Sequence, residues 1–379
     1  MKRTAAAVAA AAVSLLVSAC GGRERARAAD AGQIVPAASS LSVPGVGKAK
    51  RIEAFGHSYV GAYGVGEERG FYTLVARHFG IARAGQTGGG GSGVIDQLGD
   101  VYSQSLQRRS GPGVQLALVM WGINDLARYG PEGLPAVQNG LTSLISRIRV
   151  APGDAHGFAD RSVRLHGSWQ TRGAVTTTTA AAAIEINVPR RTRGRVLAFV
   201  APASRRTGAL YRFTVDGHRA GRLDTRGLSP AKPANAGDAG TPLIKRLRLP
   251  ARARTVRVEV TNVNRRAEFL GWHAEAKRAP LVAVVHQPPL PDYGAFDRSE
   301  HRVGDSDVAA LNGAIDAAAS AFSDDRVVVA DAEDPLGGDD AFYLDDRLHP
   351  NAVGHEWLAR RTIEALERAA ARLHRQARG

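Results

Sequence analysis

The sequence predicts an α/β protein: a doubly wound parallel sheet interrupted by an inserted antiparallel β-sandwich. Three observations predict it. Near-continuous apolar runs at 114–120, 280–286 and 326–330 read as strands buried on both faces, and they alternate with stretches of helical periodicity. Between 156 and 276 the periodicity changes to strict alternation, as in strands with one wet face. The candidate nucleophile, base and hydrogen-bond donors fall just past strand ends, the edge at which open α/β sheets bind ligands.

The chain has 379 residues, 44% hydrophobic and 23% charged. That is globular composition and too long for one ordinary core, so one large domain or two are expected. The net charge of +14 is carried mostly by scattered arginine. It reads either as a compositional bias toward Arg and Ala or as attraction to an anionic envelope polymer or membrane surface. No nucleic-acid partner is expected.

Met1-Lys2-Arg3 is a charged start, 4–17 is apolar, and Val17-Ser18-Ala19-Cys20 is a small-residue box. The apolar run is too short to span a bilayer, so 1–20 reads as a signal peptide. The box resembles that of bacterial lipoproteins, which implies lipidation of Cys20, an anchor to the membrane and an extracytoplasmic location; the alternative is an ordinary secretory signal. Cys20 is the only cysteine, which excludes an internal disulfide, a thiol nucleophile in the mature chain and a cysteine-ligated metal. Residues 21–49, rich in Gly, Ala, Ser and Pro, read as a flexible tether.

A short apolar-rich run at 50–55 leads into Gly56-His57-Ser58. A strand stopping at Gly-x-Ser presents an exposed hydroxyl, because glycine lets the backbone turn sharply. Phe71, Leu74, Val75 and Phe79 then recur on one helical face. A glycine run at 85–93 precedes helical-looking residues 94–98. It lacks the Lys-Ser/Thr ending of a P-loop and a dinucleotide fingerprint, which leaves a backbone N–H for an oxyanion or a surface loop. The strand at 114–120 ends in Trp121-Gly122-Ile123-Asn124-Asp125. The Asn124 amide there is free to donate, and Asp125 caps a turn or holds the loop. Leu134, Val137, Leu141, Leu144, Ile145 and Ile148 give a further covering helix.

In the inserted block, alternation is plain at Val163/Leu165, Ile184/Ile186/Val188, Tyr211/Phe213/Val215 and Val256/Val258/Val260. Asp216-Gly217 is a hairpin turn. Trp169, Trp272 and Tyr211 either stack on sugar rings or fill the core. The strand at 280–286 returns the chain to the first fold, so 50–155 and 277–379 form one domain. His286, at its end, contacts substrate or is bonded within the core or loop. A helix is expected at 308–322 and a strand at 326–330. Asp346-Arg347-Leu348-His349-Pro350-Asn351 follows. An Asp three residues before a His can hold one ring nitrogen while the other serves as a base. Asn351 opens a last helix with Leu358, Ala365, Leu366, Ala369 and Leu373 on one face.

Gly56-His57-Ser58, Gly88, Gly122-Ile123-Asn124-Asp125 and Asp346-Arg347-Leu348-His349 together resemble the four ordered blocks of the SGNH, or GDSL-like, hydrolase family. The resemblance covers roughly 50–155 and 277–370. It implies a flavodoxin-like five-stranded sheet, a catalytic triad of Ser58, His349 and Asp346, and an oxyanion hole built from Ser58, Gly88 and Asn124. His57 departs from the family's usual Asp, and neighbouring glycines of 85–93 offer alternatives to Gly88. The resemblance further implies an exported esterase removing acetyl or short acyl groups from a polysaccharide, a glycan or a small ester. The same triad serves lipases, thioesterases and acyltransferases, and a non-catalytic glycan-binding lipoprotein is the reading from another class. No cofactor or metal is expected: Asp339, Asp340, Asp345, Asp346 and His349 are close in sequence but lack zincin spacing.

Overall fold

The computed structural model describes residues 40–100, 114–171, 175–203, 207–226, 241–297, 299–333 and 338–378. Cys20, its leader and residues 21–39 of the expected tether lie outside the described residues. Among the described residues no helix is long and apolar enough to cross a membrane.

The parallel sheet consists of β1 (Arg51–Gly56), β2 (Arg83–Gly88), β3 (Leu116–Met120), β4 (Leu281–Val285) and β5 (Val327–Ala330), in the spatial order β5-β4-β3-β1-β2. That is the doubly wound order with a switch point between β1 and β3. β3 and β4 are central, and every residue in them is buried, which is why they read as continuous apolar runs. Among the described residues six helices accompany the sheet: α1 (Phe71–His78), α2 (Val94–Asp100), α3 (Ile123–Tyr129), α4 (Leu134–Ile148), α5 (Asp305–Ser320) and α6 (Ala352–Arg378). The expected faces of α4 and α6 are the buried ones: Val137, Leu141, Leu144, Ile145 and Ile148 in α4, and Leu358, Ala365, Leu366, Ala369 and Leu373 in α6.

β2 was not expected as a strand. Its sequence, Arg-Ala-Gly-Gln-Thr-Gly, has no apolar alternation. It is an edge strand held by pairing with β1 from Arg51 opposite Arg83 to Gly56 opposite Gly88. Register supplies what propensity lacks.

Residues 40–49, expected in the tether, are part of the fold. Ser42–Val43 pairs with Gly47–Lys48, and Leu41, Val43 and Ala49 are buried. His374 Nε2 lies 2.9 Å from Ser42 O, and Arg326 Nη2 donates to Pro44 O at 2.6 Å. Three small apolar residues among Gly, Ser and Pro are too weak a signal to mark this hairpin in sequence.

Among the described residues the inserted block forms a five-stranded antiparallel sheet facing a four-stranded one, with a three-stranded sheet beside them. Phe199, Tyr211, Phe213, Phe269 and Trp272 pack between them. Asp216 and Gly217 take positive φ (48° and 83°) in the two-residue turn closing Val215 onto His218. Tyr211 and Trp272 are each 1% exposed, so the sugar-stacking role is excluded for both; of the three aromatics only Trp169 is partly exposed. The first sandwich strand is Val150–Gly157, which begins before the expected boundary at 156.

The chain enters and leaves the sandwich at one place. Glu275 is in register with Val150, and Ala276 N–H donates to Arg149 O at 2.7 Å. The α/β chain is therefore cut and rejoined without displacing its strands. The seam is ionic and buried. Arg149, 2% exposed, lies 3.2 Å from Glu275, and Arg246 reaches the same carboxylate at 2.6 Å. Ser146 Oγ donates to Glu275 Oε1 at 2.9 Å.

Candidate active site

Three adjacent strand ends and one loop build the site. β1 ends at Gly56, and the chain turns through His57 into Ser58. A Cβ at Gly56 would lie 2.3 Å from Val60 Cγ2 and 2.6 Å from Met120 O. A Cβ at Gly88, directly opposite on β2, would lie 1.8 Å from Gly56 O. Glycine at 88 lets the ends of β1 and β2 approach so closely, and glycine at 56 leaves room for Val60 and the end of β3. Beyond β2, Gly89 and Gly90 meet nothing within 4 Å at the same test, so of these three glycines Gly88 is the one that is sterically fixed.

The base arrives from the other end of the chain. His349 Nε2 lies 3.0 Å from Ser58 Oγ, and His349 Nδ1 lies 2.7 Å from Asp346 Oδ2. Asp346 Oδ1 accepts the backbone N–H groups of Leu348 (3.0 Å) and His349 (2.9 Å). Arg347 takes φ 53°, which folds the loop back tightly enough for one carboxylate to reach both amides and the ring. Burial alone would raise the Asp346 pKa; the hydrogen bonds from the His349 ring and from the two amides outweigh it and hold the carboxyl below its ordinary value. Asp346 therefore remains an acceptor that fixes the proton of His349 on Nδ1 and leaves Nε2 to face the hydroxyl.

The loop is clamped at both ends. Tyr59 OH donates to Leu348 O at 2.6 Å. Asn351 donates to Ala341 O and Tyr343 O, while its Oδ1 accepts Val353 N–H and Gly354 N–H, which caps α6. Tyr63, 46% exposed, lies with its ring 4.3 Å from that of His349 and forms an open wall beside the base.

Asn124 stands in the first turn of α3, just past β3, the strand on the other side of β1. Its Nδ2 donates to Ser92 O at 3.0 Å. One N–H of the amide is thereby spent on orientation, and the second is left as a donor. Ser92 is the residue that sequence reasoning missed. It is 9% exposed, its Oγ lies 2.8 Å from Gly89 O and 3.2 Å from Gly56 O, and it accepts from Trp121 Nε1 at 3.2 Å. A serine inside a glycine run carries no sequence signal for this. Asp125 is fully buried and accepts Val94 N–H (2.8 Å) and Ile95 N–H (2.9 Å) at the start of α2. Burial pushes its pKa up to about 7 against the pull of those amides. It holds the glycine loop against α3 and takes no place in the relay.

His57 is buried, with Nε2 3.2 Å from Gln287 Oε1 and Nδ1 accepting from Tyr59 N–H at 3.4 Å. Burial, reinforced by the positive charge of His349, depresses its pKa to about 3. It is a neutral packing element and carries no proton chemistry near neutral pH. Of the two readings of His286, contact with substrate or bonding within the core or loop, its neighbours in the structure fit the second. That ring is 8% exposed and lies among Asp316, Asp331 and Glu333, because the turn after β4 aims it at α5 and the end of β5. Its neighbour Gln287 is the residue that meets the nucleophile loop.

A five-stranded parallel sheet whose switch-point edge carries a hydrogen-bonded serine, histidine and aspartate defines an α/β protein with the relay of a serine hydrolase. No family model and no curated protein matches the chain. Among solved structures it is similar to a carbohydrate esterase of family 3 from Talaromyces cellulolyticus, at 11% identity and TM-score 0.38, covering 85% of this chain and 98% of that one. It is also similar to a lipolytic G-D-S-L family member from Veillonella parvula, at 13% identity and TM-score 0.38, covering 84% and 98%. A two-domain esterase active on acetylated mannans aligns at 11% identity and TM-score 0.29, covering 60% and 91%.

Proposed function

We propose that the chain is an SGNH/GDSL-like serine esterase that hydrolyses ester-linked acyl groups. The observation that carries this is the continuous relay from Ser58 Oγ through both ring nitrogens of His349 to Asp346, at 3.0 and 2.7 Å. In the reaction His349 Nε2 takes the hydroxyl proton as Ser58 Oγ bonds to the ester carbonyl carbon. The tetrahedral oxyanion is met by the backbone N–H groups of Ser58 and Gly88 and by the free N–H of Asn124. The imidazolium, stabilised by Asp346, returns its proton to the leaving alcohol as the carbon–oxygen bond breaks. Water, deprotonated by His349, then cleaves the acyl-serine, and the acid and free Ser58 are released.

As substrate we propose acetyl or other short acyl groups on an envelope polysaccharide or glycan, with the protein exported and anchored through a lipid on Cys20. The leader, the net charge of +14 and the presence of an inserted sandwich support this reading. Hydrolysis of p-nitrophenyl acetate by the wild type, abolished in Ser58→Ala, tests the esterase; an inactive wild type would leave the non-catalytic glycan-binding reading. Acetate release from acetylated glycans should exceed turnover of long-chain esters, and the reverse ranking would make it a lipase. Metabolic labelling with palmitate, lost in Cys20→Ser, tests the anchor.

A further inference from the structure

A second cluster of ligand-type side chains stands at the same edge of the sheet. His286 directly follows β4 and Asp331 directly follows β5. The two strands are parallel neighbours with Val285 opposite Ala330, and His286 N–H donates to Ala330 O at 3.0 Å. Glu333 turns back beside them, its N–H on Asp331 Oδ1 at 3.0 Å.

Both nitrogens of the buried His286 ring face carboxylates. Nε2 lies 3.0 Å from Asp316 Oδ1. Nδ1 is buried without a hydrogen bond; it lies 3.3 Å from Glu333 Oε1 and 3.9 Å from Asp331 Oδ1. An ionised carboxylate only accepts, so Nε2 carries the proton that Asp316 receives. In the neutral ring Nδ1 is then a lone pair aimed at two further acceptors. With the ring neutral, three electron-pair donors converge there. Their ligand atoms all lie within 4.8 Å of one another, a span that an ion at about 2.0–2.2 Å from each can bridge with small side-chain movement. A ring held from behind by a carboxylate is how metal-binding histidines are oriented. Arg361, whose Nη2 is 4.0 Å from Asp331 Oδ2, also pairs with Glu364 and so offsets only part of the negative charge.

We propose that His286 Nδ1, Asp331 and Glu333 bind a divalent transition-metal ion of the zinc type, with Asp316 positioning the ring. The mixed nitrogen and oxygen set favours such an ion over magnesium or calcium, which prefer oxygen alone. The ion fastens the ends of β4 and β5 together. Its hold extends toward the nucleophile loop: Glu333 Oε1 accepts from Asn312 Nδ2 at 2.7 Å, Asn312 brackets the backbone of Gln287 at 2.9 Å on both sides, and Gln287 meets His57. The role is structural and independent of the esterase reading.

The test is calorimetric titration of the chelator-stripped full chain with zinc, with thermal unfolding followed in parallel. One zinc per chain and a raised Tm are expected, with no such response to magnesium or calcium. Asp331→Asn and Glu333→Gln, both at partly exposed positions, should stay folded by circular dichroism and lose zinc binding. Asp316→Asn should weaken it about 10–100-fold, and Ser58→Ala should leave it unchanged. Absence of saturable binding at millimolar zinc, or undiminished binding in the Asp331→Asn/Glu333→Gln double variant, would overturn the proposal.

Discussion

Ser58 Oγ and His349 Nε2 lie 3.0 Å apart although 291 positions separate them in the chain. Two features make this possible. The sandwich begins and ends side by side, with Ala276 bonded to Arg149. The base loop is pinned to the nucleophile loop by Tyr59 OH on Leu348 O. The first prediction follows directly. Ser58→Ala and His349→Ala should each lower kcat by roughly 10⁴-fold or more, with near-UV circular dichroism unchanged, and the double variant should be no worse than either single one.

Asn124 should act on the transition state. Asn124→Ala is expected to lower kcat about 10²–10³-fold with little change in KM. A change confined to KM would remove it from the oxyanion site. Ser92→Ala, which keeps the carbonyl that orients Asn124, should cost less.

The glycine run gives a steric prediction. Gly88→Ala forces a Cβ to 1.8 Å from Gly56 O, so β2 must shift. A loss of about 1–3 kcal/mol in denaturant unfolding and a loss of turnover are expected. Gly90→Ala, with nothing within 4 Å, should change neither. Equal behaviour of the two variants would show that the close approach of β1 and β2 is not needed.

Part of the acid sensitivity should trace to His57, alongside the likewise buried His273 and His355. The His57 imidazole titrates at about 3 when folded, against 6.5 ordinarily. The unfolded chain therefore binds the extra proton first as pH falls, and stability drops between about pH 6.5 and 3, by at most roughly 5 kcal/mol. Asp125 works in the opposite sense, since its raised pKa of about 7 favours the folded state as pH falls. The comparison with His57→Asn isolates the histidine: Tm should decline less steeply between pH 7 and 4 in the variant. Parallel curves would assign the acid lability elsewhere.

The seam between sandwich and sheet is predicted to be a stability determinant. Glu275→Ala removes from the buried seam the carboxylate that Arg149 and Arg246 share, leaving Arg149 only its pair with Asp324 and Arg246 its bond to Ala321 O. A loss of about 3–5 kcal/mol is expected by urea unfolding. A loss below 1 kcal/mol would mean that packing of α4 on the sandwich holds the seam.

The sequence alone determined the central architecture, and the resemblance of four short blocks pointed to Ser58, His349 and Asp346. β3 and β4 were legible because strands buried on both faces must be apolar throughout. Asp346 and His349 were legible because a carboxylate three residues before an imidazole can close on it within one loop. The sandwich strands were legible because one wet face imposes alternation. Tertiary structure decided what no local pattern encodes. β2 is a strand only through its register with β1, and residues 42–48 form a hairpin only because α6 and Arg326 receive it. Tyr211 and Trp272 are core because sheets contributed by distant segments close over them. Ser92 gained its task from atoms on three separate strand ends. His286 turned toward Asp316, Asp331 and Glu333, since the direction of a side chain leaving a strand end is set by its neighbours in space. Periodicity reports which face of an element is dry; only the assembled elements decide which polar groups meet.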